Sequence, residues 1–168
     1  MAKSSSAILK QLPHPSTEDG LVKSPQAVIK ALQHVFADSF SLYYKTHSAH
    51  WHIEGPQFFT LHQFFETLYK DIWGALDTIA EHLRSRGAEV ALSMETIVKE
   101  SHIEGFAEII EAQDMLQSLI EDQEHMIEEL HKGIQLAQKA GDEASADLCV
   151  ERLREHEKQL WMIRSHLV

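Results

Sequence analysis

Hydrophobic positions first recur with a helical period just after Ser24-Pro25, which reads as an N-cap and first helical residue. Val28, Ile29, Leu32, Val35, Phe36, Ser39, Leu42 and Tyr43 continue this pattern until Gly55-Pro56 stops it. A second stripe follows at Leu61, Phe65, Leu68, Ile72, Leu76, Ile79 and Leu83, and ends at Gly87. Residues 88–105 are mixed, with Ser93 placed to cap a short helix through Val98. A third stripe (Ile109, Leu116, Leu119, Met126, Leu130, Ile134, Ala137) runs to Gly141, and a fourth (Leu148, Leu153, Leu160, Ile163, Leu167) occupies the remainder. No segment reads as a strand bounded by turns. Residues 1–23 hold a serine run, Pro13, Pro15 and Gly20 without periodicity, which predicts a mobile tail. The pattern therefore predicts an all-α four-helix bundle over residues 24–168, with a short helix in a long crossover between the second and third helices.

The second stripe also carries candidate chemistry. At about 100° per residue, its apolar positions share one narrow arc, while His62, Glu66, Asp77 and Glu81 fall in an arc centred roughly 130° away. Phe59 and Trp73 share that outward face. Large aromatics beside charged groups are hard to explain on a wet face and natural on one covered by a second subunit. His62/Glu66 and Asp77/Glu81 are two i,i+4 pairs, each able to grip a cation from adjacent turns. Glu66 and Asp77 lie eleven residues apart, about 16 Å along a helix, so one chain cannot close both pairs around one ion. Two antiparallel copies crossing near Asp71 would bring Glu66 of one opposite Asp77 of the other, giving two equal sites per dimer. His50, just before the turn into the second helix, is placed to join His62 and Glu66. Two imidazoles with three carboxylates suit iron(II), manganese or zinc better than copper or calcium, and carboxylates favour iron because they also stabilise its oxidised form.

Composition narrows the function further. Lys+Arg 15 against Asp+Glu 26 gives a net charge of -11, opposite to that of a protein gripping nucleic acid through phosphates, and twelve histidines favour metal handling. Cys149 is the single cysteine, so no intrachain disulfide and no cysteine zinc cage can form. The chain shows neither a membrane-length apolar run nor a secretory h-region, and a reducing, cytoplasmic setting is expected.

At these residues the sequence resembles the Dps family of mini-ferritins. The match rests on His50-Trp51, Gly55, Phe58, His62, Glu66, Asp77 and Glu81, which read H-W-x3-G-x2-F-x3-H-x3-E-x10-D-x3-E, and extends from about Ser24 to the C-terminus. The resemblance implies a ferritin-like homododecameric shell whose twofold interfaces oxidise iron(II), preferentially with hydrogen peroxide rather than dioxygen, and whose cavity stores ferric mineral. Some members also bind DNA. Three features depart from the family pattern. Glu66 stands where many members have Asp. His52 follows Trp51 but points about 200° from His50, too far to share its ion. The tail offsets Lys3, Lys10 and Lys23 with Glu18 and Asp19, so DNA binding is expected to be weak or absent, and a nucleoid-compacting particle is the alternative reading.

Other candidates compete with plainer explanations. Asp114 and Glu121, one heptad apart, read either as a solvated acidic face or, by the resemblance, as the lining of a threefold iron-entry pore, with Glu111 and Glu128 near the same stripe. Glu128-x-x-His131 has di-iron spacing, but such bundles need two copies and the second is missing. His47 is as readily an interface histidine as an auxiliary metal contact. Trp51 and Trp161 are expected to pack. The catalytic and metal-binding set is thus His50, His62, Glu66, Asp77 and Glu81.

Overall fold

The computed structural model describes residues 17–18, 21–22 and 24–167. Its elements are β1 (Thr17–Glu18), β2 (Leu21–Val22), α1 (Gln26–His52), α2 (Phe58–Ser85), α3 (Met94–Glu100), α4 (Ala112–Ala140) and α5 (Glu143–Arg164). α1 packs along α2, α4 along α5, and α1 against α4, closing a four-helix bundle; α3 lies against α1 within the crossover.

The helix ends follow local chemistry. The chain turns between α1 and α2 at Gly55, whose φ of 93° is a left-handed conformation that a Cβ would strain. Gly141 closes α4 in the left-handed region at φ 69°, and Asp142 then caps α5 by accepting from the Ser145 N–H at 3.1 Å. Ser93 caps α3 through the Thr96 N–H, as its position predicts. Pro25, not Ser24, occupies the N-cap of α1, and the Ser24 hydroxyl instead donates to Asp142 at the start of α5. The same carboxylate receives the Arg86 guanidinium at 2.9 Å, so it ties together the starts of α1 and α5 and the end of α2.

One expectation needs correction. Ile109 does not belong to the third long helix: residues 101–111 are extended or bent, Ile109 is exposed, and Glu111 is the N-cap of α4 instead of part of its acidic stripe. An apolar residue three positions before a helix matches the stripe without being helical. The mobile-tail expectation falls largely outside the described residues. Within them, β1 and β2 form an antiparallel pair, with Thr17 opposite Val22 and Glu18 opposite Leu21. Two residues per strand are too few to register as alternation.

The core is aliphatic with Phe65 at its centre, joined by Leu32, Leu61, Ile72, Leu116 and Met126. Buried polar groups also cross it. Lys45 on α1 and Asp122 on α4 form a largely buried pair at 2.7 Å; burial pushes the Asp122 carboxyl up, against the pull of Lys45. Further along, His156 Nδ1 donates to Gln123 Oε1 (2.7 Å), Gln123 to Gln159 (2.9 Å), and Gln159 to Asp71 (2.8 Å), where Arg152 also donates. This chain of bonds fixes the register of α4 and α5 against α2. No described helix is long and apolar enough to cross a membrane.

Candidate metal centre

His50 is buried in the last turn of α1, and His62 is half-buried in the first turns of α2. The short turn through Gly55 brings them face to face, with ring centroids 3.7 Å apart and planes 22° from parallel. Each ring is anchored by the other residue's backbone: His50 Nδ1 donates to the His62 carbonyl at 2.7 Å, and His62 Nδ1 donates to the His50 carbonyl at 2.8 Å. Because a carbonyl only accepts, both Nδ1 atoms carry hydrogen, and the lone pair of each neutral ring is left on Nε2. This is the tautomer and the backbone support of a metal-ligating histidine.

Glu66, one turn beyond His62, forms a salt bridge with Lys70. The Lys70 hydrogen bond and charge hold the Glu66 carboxyl below the usual carboxylate range, with a smaller contribution from His50 and His62, and they raise Lys70 in return. Lys70 is a partner the sequence reading missed, although its i,i+4 spacing was visible.

Asp77 and Glu81 are exposed further along α2, and Asp77 borders a shallow groove with Phe36, Phe40 and Trp73. The single chain brings His50 and His62 together with Glu66 nearby. Among the described residues, no three of the five expected ligands have donor atoms within 4.8 Å of one another. The same outward face carries Phe59 (69 % exposed) and Trp73 (56 % exposed). Gly74 lies beside Trp73 in mid-helix, with nothing within 4 Å of where its Cβ would be.

An aromatic cluster backs the two histidines. His47 stacks on Tyr69 (centroids 3.8 Å apart), lies 4.1 Å from Trp51, and approaches the Tyr43 hydroxyl at 3.2 Å; burial and the neighbouring His50 lower its pKa. His52 turns back to the Ser48 carbonyl (2.8 Å), away from His50 as its position implies. Trp51 (54 % exposed) and Trp161 (67 % exposed) are not packed into the core of the chain. Asp114, Glu121, Glu128 and His131 are exposed along α4.

Sequence reasoning also missed a second cluster, Asp38, His102 and His125, whose donor atoms all lie within 4.8 Å of one another. Its one sequence signal was an aspartate on the buried stripe of α1, where an unpaired carboxylate would not be tolerated.

A long crossover, antiparallel helix pairs and a histidine-carboxylate face on α2 define a ferritin-like class of bundle. The ferritin-like domain profile matches residues 29–168. The DNA protection during starvation protein 2 of Bacillus anthracis is 38% identical over 140 residues, spanning 83% of this chain and 96% of that protein. A Dps crystal structure from Bacillus brevis superposes with a TM-score of 0.82 at 34% identity, covering 85% of this chain and 96% of that one. A Dps structure from Vibrio cholerae, described as a member of a broad superfamily of ferritin-like diiron-carboxylate proteins, gives 0.82 at 29% identity and covers 85% and 90%. The chain belongs to the Dps family of ferritin-like proteins.

Proposed function

We propose that this protein oxidises iron(II), with hydrogen peroxide as the preferred oxidant over dioxygen, and stores the ferric product inside a twelve-chain shell in the cytoplasm. The observation that carries the reading is the reciprocal His50/His62 pair, which costs the fold two buried or half-buried imidazoles and leaves both Nε2 lone pairs available. His50, His62 and Glu66 of one chain bind the substrate iron together with Asp77 and Glu81 of a twofold mate. Two features of α2 support that mate. Phe59 and Trp73 expose large rings on the ligand-bearing face, and Gly74 gives up roughly 1 kcal/mol of helix propensity while leaving room for close helix approach.

In the chemistry this supports, two iron(II) ions supply the two electrons that take one peroxide to the level of water, so no hydroxyl radical is released. The protein's part is to hold the ions until both electrons have passed, with imidazoles fixed by backbone carbonyls and carboxylates that keep favouring iron(III). Zinc or manganese fits the same donor set. A net charge of -11 favours cation uptake, and Asp114 and Glu121 would concentrate iron(II) at a threefold entrance.

Anaerobic titration with iron(II), followed by peroxide, tests the proposal. One peroxide should be consumed per two irons, far faster than in the His50→Ala/His62→Ala variant; equal rates in the two proteins would sink it. The alternative, a DNA-compacting particle, predicts tight gel shifts at physiological salt, whereas this reading predicts weak binding that vanishes as salt is added.

A further inference from the structure

We propose that Asp38, His102 and His125 form a second divalent-metal site, suited to zinc, which pins the crossover segment 101–111 to the bundle. It is separate in place and composition from the α2 face and does not depend on how that face is used.

The three residues come from three elements: Asp38 from the middle of α1, His102 from just after α3, and His125 from α4. Asp38 is fully buried. Its Oδ1 is held by the His102 N–H at 2.6 Å and the Ser101 hydroxyl at 3.0 Å. Its Oδ2 faces His125 Nε2 at 2.9 Å and His102 Nδ1 at 3.7 Å. Among the described residues these two histidines are its only ion-pair partners, so no lysine or arginine neutralises it. An ionised carboxylate at such depth needs a compensating cation. Ligand atoms around tetrahedral zinc lie about 3.4 Å apart, and those around an octahedral ion about 3.0 Å, given metal-ligand distances near 2.1 Å. The observed 2.9 and 3.7 Å bracket both values and all three donor atoms lie within 4.8 Å of one another, so an ion is admitted by side-chain shifts alone, with loss of the His125 Nε2 proton.

Two imidazoles and one carboxylate make a borderline donor set with a position open to water. Ser101 and the His102 N–H supply the outer support that metal-bound carboxylates need. The ion has a way in: His102 is 57% exposed and borders an open groove of about 760 Å³ between α1 and the crossover.

Cobalt(II), a spectroscopic stand-in for zinc, provides the test in assembled protein carrying His50→Ala, His62→Ala, Asp77→Ala and Glu81→Ala. That protein should bind one cobalt per chain with a visible ligand-field spectrum containing nitrogen donors. Zinc at 100-fold excess over Kd should raise Tm by roughly 5 to 10 °C. Adding His102→Ala, an exposed position whose loss leaves the fold intact, should weaken cobalt binding at least tenfold and abolish the Tm shift; His125→Gln should do the same. Absence of bound cobalt in the first protein, or equal binding with and without His102 and His125, would overturn the proposal.

Discussion

A shared site makes a quantitative demand on mixtures of defective chains. Take one variant with His50→Ala and His62→Ala and a second with Asp77→Ala and Glu81→Ala. The first loses two hydrogen bonds to backbone carbonyls, about 1 kcal/mol each, and the second alters only exposed positions, so both should fold and assemble. Each alone lacks two of the five ligands at every site and should oxidise iron poorly. In a mixed dimer, one site collects all four substitutions, and the other receives His50, His62 and Glu66 from the second variant and Asp77 and Glu81 from the first. Random pairing makes half the dimers mixed, each with one intact site of two, so co-refolded protein should recover about one quarter of wild-type initial rate. The assay is initial-rate iron(II) oxidation, with mixed dimers verified by native mass spectrometry. Mixed dimers that are present but no more active than the separate variants would refute the intersubunit assignment and the 16 Å helix-rise argument behind it.

Three further outcomes are expected. Asp114→Asn with Glu121→Asn should slow iron uptake at low salt while the shell still assembles; unchanged uptake would return both residues to a solvated face. Burial depresses the His156 pKa to about 3, below its unfolded value, so the neutral ring favours the fold fully above about pH 6.5 and progressively less as pH falls from there towards 3; His156→Asn should flatten that acid limb in calorimetric melts. Asp142→Ala removes the α5 cap and leaves the buried Arg86 guanidinium without its partner, so it should cost roughly 3 to 5 kcal/mol and show as a large fall in Tm.

How much of this was legible in the chain varies with the range of the interactions. The four long helices announce themselves through continuous apolar stripes, and their ends through Gly55, Gly87 and Gly141, while Ser93 marks the start of the short α3, because period and capping act within a few residues. His50 and His62 were legible for the same reason, being twelve positions apart across one tight turn. Their mutual carbonyl anchoring was not, since it depends on how α1 meets α2. The Asp38 cluster is harder still. Its members are separated by 64 and 23 positions, and only the packing of α1, α4 and the crossover assembles them. Ile109 shows the converse failure, where an apolar side chain in the right phase proved to be an exposed residue of the crossover.

The lysine bonded to Glu66 bears on the order of events in the life of the particle. On the shared-site reading, the Glu66 carboxylate waiting beside a partner's carboxylates would oppose assembly if left bare, and Lys70 lends it a removable countercharge. An exposed pair of this kind is weak, so an arriving divalent ion can displace it readily. On the shared-site reading, iron-free shells can therefore be built first and held in reserve, with loading deferred until the metal appears.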